Sequence, residues 1–292
     1  MISPMIVKPE VRQLIDFPID LGESPCWDDR MGDLWFVDIL APAAFCLRSN
    51  GRVDRFNMPA TIGSLALCES GEVLVALQTG IYIMDPVTGK LRFLCDPDGG
   101  RSNSRLNDGK VGPDGCFWVG TRDEAVPQTG NGRLYRVAPN GSCTVIAGGL
   151  LTSNGLSWSP DGRTMYHSDS SGLFAQVFDF DPQKGVVGDP RRLRDFPAEE
   201  GRPDGASVDT DGFYWIAGGM SGGINRLSPS GEVVEIYRLP VTWPTMPCFG
   251  GSDLSTLFVT THGTNHTGRN ESGTLLAFES GFRGMPGFRF GV

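Results

Sequence analysis

PDGCFWVGT at residues 113–121, PDGRTMYHSD at 160–169 and TDGFYWIAG at 210–218 repeat one pattern: a glycine-bearing turn, then a short strand rich in aromatic and β-branched residues. The same turn and strand also occur at DDRMGDLWFVD (28–38) and ESGEVLVAL (69–77), and without the turn glycine at SDLSTLFVT (252–260), making six copies. The turn glycines Gly32, Gly71, Gly115, Gly162 and Gly212 are separated by 39, 44, 47 and 50 residues. That spacing is close to the length of a four-stranded propeller blade. Each copy is followed by a second hairpin-like run: FCLRSNGRV, IYIMDPVTGKL, LYRVAPNGSC, VFDFDPQKGVV, INRLSPSGEVV and LLAFESGFRG. Asn-Gly, Thr-Gly and Ser-Gly pairs between alternating side chains are hairpin chemistry. The pattern predicts an all-β fold: a six-bladed β-propeller with four antiparallel strands per blade, one domain over residues 1–292. A β-sandwich also has short strands and many turns but no fixed period. No regular GH…WD signature marks the common interaction repeat.

Composition narrows the function classes. Forty glycines and twenty-one prolines, spread between aromatic runs, mark many tight turns in a chain of 292 residues. A net charge of −9 repels a phosphate backbone and an anionic membrane alike, so neither nucleic acid nor membrane is an expected partner. No run approaches the length of a membrane helix, and the N-terminal stretch lacks a basic segment followed by an apolar one. Seven cysteines without a CxxC pair suit a reducing compartment and read as small core residues, so a cytoplasmic protein is expected. Oligomeric state is not readable from the sequence.

Counting back eight residues from the turn glycine reaches the start of the preceding strand, which in a propeller is the innermost one and lines the central channel. That position holds Gly63, Asn107, Asn154 and Asp204 in copies two to five; in the first copy, nine residues back, it is Glu23. Pseudo-sixfold symmetry aims equivalent positions at one axis, so Glu23, Asn154 and Asp204 are expected to converge and hold one divalent cation. Carboxylate and amide oxygens suit calcium, magnesium or manganese, and such sites also accept zinc or iron. Asx residues and glycines at strand starts also make ordinary turns, but recurrence at one offset favours a shared site.

At these residues the chain resembles the family of senescence marker protein-30, gluconolactonase and luciferin-regenerating enzyme, the sugar-lactone hydrolases. The likeness runs from about residue 17 to 290. It is carried by LGESPCWD (21–28) with LWFVDI (34–39), SRLNDGKVGPDGCFWVGT (104–121), SNGLSWSPDGRTMYHSDS (153–170) and RPDGASVDTDGFYWIA (202–217). PTMPCFGGSDLSTLFVTT (244–261) adds a likeness to bacterial pentonolactonases. The resemblance implies that Glu23, Asn154 and Asp204 bind the metal and that Arg105 and Asn107 contact the substrate. It also implies an acidic contact after the GT of blade three, where GTRDEA offers Asp123 or Glu124 in place of the usual adjacent glutamates.

Lactone hydrolysis needs a polarised carbonyl, an activated water and stabilisation of the tetrahedral oxyanion, and one metal can serve as the Lewis acid. The expected roles are Asp204 as metal ligand and proton acceptor, Arg105 on sugar hydroxyls or the carbonyl oxygen, and Asn107 on the substrate or a water. A Ser-His-Asp triad lacks its GxSxG signature. His167 reads as a strand residue satisfied by a neighbour, and His262 and His266 as residues of a polar loop. Two further classes fit the pattern. Another propeller hydrolase, a phosphotriesterase or arylesterase, would need a larger acidic cluster or a channel histidine pair. A non-catalytic calcium-binding propeller would turn over no lactone.

Overall fold

The turn glycines bear out the repeat: Gly32, Gly71, Gly115, Gly162 and Gly212 all have φ between 68° and 87°, a region in which any Cβ is strained. Each lets the chain reverse from a blade's innermost strand into its second. The structure, a computed structural model, describes residues 3–263 and 273–292. Its strands fall into six small sheets whose order runs outward from the channel in step with the sequence. Blade one comprises Gly22–Asp28, Asp33–Asp38, Ala43–Leu47 and Val53–Asn57, and blade two Ile62–Leu67, Val73–Leu77, Gly80–Met84 and Leu91–Cys95. Blade three comprises Ser104–Val111, Phe117–Asp123, Gly132–Val137 and Cys143–Leu150. Blade four begins Ser153–Trp158, Thr164–Asp169 and Phe174–Asp181, and blade five is Arg202–Val208, Tyr214–Gly219, Gly223–Leu227 and Val233–Arg238. Blade six begins Pro244–Gly250, Thr256–Thr261 and Leu275–Glu279. The protein is a six-bladed β-propeller.

Each sheet is covered on both faces by its neighbours, so its inner strands are near-continuous apolar runs. Asp33–Asp38 and Val73–Leu77 are buried at every position. Six apolar clusters result, one between each pair of adjacent blades. Ala66, Ile83, Phe117, Val119 and Tyr135, for example, join blades two and three. Among the described residues the only helical element is a single 3-10 turn, Ala198–Glu200, and no helix is long and apolar enough to cross a membrane.

Three details depart from the strand-by-strand expectation. In blade six, LLAFESGFRG forms only the third strand, and the fourth is Arg12–Gln13 from the other end of the chain, antiparallel to Leu275–Glu279. Gly281, at φ 79°, turns the chain away. Residues Met285–Phe288 then line the end of the central channel opposite the strand starts, beside a cavity of about 100 Å³. Met5–Val7 adds a parallel fifth strand to blade five. Blade four ends in two short strands, Val186–Val187 and Arg191–Asp195, each paired with Phe174–Asp181. All seven cysteines are free thiols; Cys46, Cys68 and Cys116 are buried as expected, whereas Cys143 is exposed. His167 is fully buried between Ser153 Oγ (2.8 Å) and Gln176 (3.2 Å), and burial pushes its pKa down to about 3. It is a neutral strand residue. His262 contacts the Asp20 carbonyl oxygen at 3.0 Å, and His266 lies outside the described residues.

Candidate active site

All six innermost strands carry a pairing irregularity at the same level. The register breaks between Glu23 and Cys26, Ile62 and Ser64, Leu106 and Gly109, Asn154 and Ser157, Pro203 and Ala206, and Pro244 and Met246. Bulges of this kind re-aim side chains and recur beside active sites. The residues at or beside the break are Glu23, Gly63, Asn107, Asn154, Asp204 and Thr245, five of them the positions singled out by the repeat. Gly63 leaves a gap for a packing reason, because a Cβ there would run into the Leu106 carbonyl oxygen. Thr245 turns its hydroxyl to the Gly22 carbonyl (2.5 Å) and Thr260 Oγ1 (2.9 Å).

Asn154 is fixed by its amide nitrogen, which donates to Asp204 Oδ1 at 2.6 Å and to Ser170 Oγ at 2.9 Å. Its Oδ1 is buried and has no hydrogen-bond partner. Glu23, also buried, accepts one bond at Oε2 from the Ser24 amide (3.3 Å). Burial, then the charges of Asp204 and Asp108, hold its pKa well above the ordinary carboxylate range. Asp204 keeps some surface toward the channel, yet burial and then Asp108 push its pKa up to about 7, against the indole of Trp243, Arg202 and Asn154. Asp108, beside Asn107, is a third buried carboxylate whose pKa burial also raises. Its Oδ2 accepts the Leu156 amide at 3.1 Å and its Oδ1 is unpartnered.

This donor set fits a hard divalent cation. An orphaned carboxamide oxygen sits beside two carboxylates whose negative charges are mutually unfavourable, and buried unsatisfied acceptors are otherwise costly. Among the described residues no group of three or more His, Cys, Asp or Glu side chains is placed to hold a metal ion without an amide oxygen such as that of Asn154.

Arg105, buried at the start of blade three's inner strand, donates from Nε to Glu124 Oε1 (3.1 Å) and from Nη1 to Asn107 Oδ1 (2.8 Å). Asn107 in turn donates to the Ser153 carbonyl at 3.0 Å, tying blade three to blade four. Of the two acidic candidates in GTRDEA, Glu124 faces Arg105. Asp123 is a loop anchor: it accepts the amides of Ala125, Thr129 and Asn131, which hold its pKa far below the usual range. Asp38 and Asp169 hold mouth loops in blades one and four in the same way. Two site residues escaped sequence reasoning. Asp108 was in plain view in the RLNDG motif but does not sit at the repeated offset; Trp243 precedes blade six, where no glycine turn marks the register.

Fold and site together define a propeller whose axis holds a cluster of carboxylate and carboxamide oxygens flanked by a buried arginine. The chain belongs to the SMP-30/gluconolactonase/LRE-like family, whose model matches residues 21–263. It is 39% identical over 252 residues to the 6-deoxy-6-sulfogluconolactonase of Pseudomonas putida, covering 86% of each chain. It is 35% identical over 247 residues to regucalcin of Gallus gallus, covering 82% of each. A solved structure described as a calcium-binding protein, regucalcin, from Agrobacterium tumefaciens superposes with a TM-score of 0.93 at 26% identity, covering 99% of this chain and all of that one.

Proposed function

We propose that this protein is a lactonase that hydrolyses a sugar (aldono-) lactone to its acid, with a divalent cation held by Glu23, Asn154 and Asp204. The observation that carries the cation is the buried, unpartnered Asn154 Oδ1 set beside Asp204 and Glu23. The reaction class rests on family membership, on the Pseudomonas relative's name and on a site able to bind a polyhydroxylated ester. When bound, the cation supplies a Lewis acid that polarises the lactone carbonyl and offsets charge growing on its oxygen. Calcium, the ion named for the Agrobacterium relative, is the first to test, ahead of zinc, manganese, magnesium and iron.

The chain's own residues supply the rest. Asp204, with its carboxylate oriented by Asn154 and Trp243, accepts a proton as water attacks the carbonyl carbon. The ring C–O bond then breaks, and the leaving oxygen takes that proton to become a hydroxyl. Arg105 stays charged, although burial lowers its pKa to about 10, and it orients sugar hydroxyls or the carbonyl oxygen with Asn107 and Glu124 behind it. The seven free thiols support a cytoplasmic setting.

The test is a pH-indicator screen of aldonolactones, with and without a 6-sulfo group, using metal-stripped protein and each cation in turn. Turnover restored by a divalent ion is the expected result. Full activity in protein shown by elemental analysis to be metal-free would remove the cation from the scheme. Cation binding without turnover of any lactone would favour a calcium-binding propeller instead.

A further inference from the structure

Most described arginines sit on a carboxylate, as an acidic surface leads one to expect; Arg48, Arg136, Arg191, Arg226 and Arg289 are examples. The side chains of Arg122 and Arg202 are exposed and make no ion pair or hydrogen bond among the described residues. Both belong to the channel mouth. Arg122 is the register partner of Arg105 across blade three, and its charge is felt by the Arg105 guanidinium. Arg202 begins the inner strand of blade five, two residues before Asp204, as Arg105 stands two residues before Asn107; its charge is felt by Asp204.

Like charges directly opposite on paired strands are destabilising. The Arg105 and Arg122 pair has one carboxylate between them, Glu124, which bonds Arg105. Asp123 is fully occupied by its loop, and Glu200, near Arg202 in sequence, is paired with Arg194 through Nε at 2.9 Å. The mouth therefore holds two exposed guanidinium groups without a directly bonded carboxylate, although Arg202 lies within electrostatic reach of Asp204. A guanidinium can donate to neutral sugar hydroxyls, as proposed for Arg105, but it bonds phosphate, sulfonate or carboxylate more strongly, through charge-assisted hydrogen bonds.

We propose that Arg122 and Arg202 form an anion-receiving rim, and that the preferred substrate is a sugar lactone carrying a second, negatively charged group on its exocyclic carbon. This rests on the lactonase reading. With the lactone ester at the axial oxygen cluster, the exocyclic carbon is free to point outward, and an anion there meets the two arginines. The rim also offsets part of the negative charge around the channel mouth, which favours the approach of an anionic substrate.

The experiment compares matched pairs. The kcat/KM of glucono-1,5-lactone and of its 6-phosphate is measured at low and high salt for the parent, Arg122→Ala, Arg202→Ala and the double variant; 6-sulfo and 6-carboxylate analogues show which anion fits. The parent should favour an anionic lactone. The double variant should lose on the order of tenfold or more of that preference, chiefly through KM, and its salt dependence should flatten. Calorimetric binding of the product acids gluconate and 6-phosphogluconate to the cation-loaded protein reads the rim without turnover. If no lactone is hydrolysed, the lactonase reading fails, yet a 6-phosphogluconate advantage that disappears in the double variant upholds the rim. Equal binding of the two acids by the parent, or an equal loss for both in the variants, overturns it.

Discussion

Replacing Asp204 by asparagine separates its two proposed roles. The substitution keeps the shape and one oxygen, so the bond from Asn154, now 2.6 Å, retains an acceptor. It removes the charge and the basic site. With its pKa pushed up to about 7, keeping Asp204 charged at pH 8 in the metal-free protein costs on the order of 4 kcal/mol relative to an exposed aspartate. Burial and Asp108 are the main causes. The folded state thus binds protons more tightly than the unfolded chain, and metal-free stability rises as pH falls through about 7 toward the ordinary aspartate range. Metal-free Asp204→Asn should therefore melt above metal-free parent at pH 8, by a margin that shrinks by pH 5. Catalysis should move the other way. Loss of a general base costs about 10² to 10⁴ in rate, so kcat at saturating cation, with occupancy measured directly, should fall at least a hundredfold. Cation affinity, with Glu23 and Asn154 still in place, should fall less. A cation-loaded variant that turns over like the parent would show that Asp204 is only a ligand, and the base would then be sought at Glu23 or in the GTRDEA stretch.

Three further substitutions test neighbouring links. Arg105→Ala removes a charged donor and should lower kcat/KM by about tenfold to a hundredfold with cation content near normal; loss of the cation would instead make Arg105 a support of the axial cluster. Asn154→Asp replaces the amide donor to Asp204 with a like charge, so the metal-free protein should lose melting temperature and the cation should restore more of it than in the parent; equal cation-induced shifts would argue against residue 154 as a ligand. Gly155→Ala puts a Cβ at φ 65° against the Tyr214 and Ser168 hydroxyls and should destabilise by roughly 1–3 kcal/mol in denaturant unfolding, whereas an unchanged midpoint would show that the bulge can relax.

The blade count was legible because five of the six turns carry a glycine at positive φ and each is followed by a second strand buried on both faces; Gly115 and FWV, or Gly162 and TMY, announce both at once. Blade six was the weak case. Its outer strand, Arg12–Gln13, is short, exposed and paired only through chain closure, so nothing local distinguishes it from a loop. In the site, the offset reached Asn107, Asn154 and Asp204 because their blades share one turn-to-bulge length, and it reached Glu23 because blade one is longer there by a single residue. Asp108 was missed because a bulge places consecutive residues near one axis, which strict alternation does not foresee. The choice between Asp123 and Glu124 needed the loop's amides, whose closure on Asp123 depends on Thr129 and Asn131.

The repeat also separates reaction from selectivity. At the bulge level, Glu23, Asn107, Asn154 and Asp204 form a polar ring, the proposed place of the lactone ester and the cation whatever sugar is attached. Two residues earlier in each inner strand or its lead-in, the equivalent positions are Leu21, Thr61, Arg105, Thr152, Arg202 and Trp243. These are far more varied in chemistry and lie toward the mouth, where the part of the substrate that does not react must pass. Arg105 links the levels by bonding Asn107 at 2.8 Å, and Trp243 does so by donating to Asp204. A change at Arg202 should therefore alter which lactone is accepted, whereas a change at Asp204 should alter how fast any lactone reacts. Because both rings come from the same six strands, substitution at the mouth should shift substrate choice without moving the bulges that carry the proposed reacting groups.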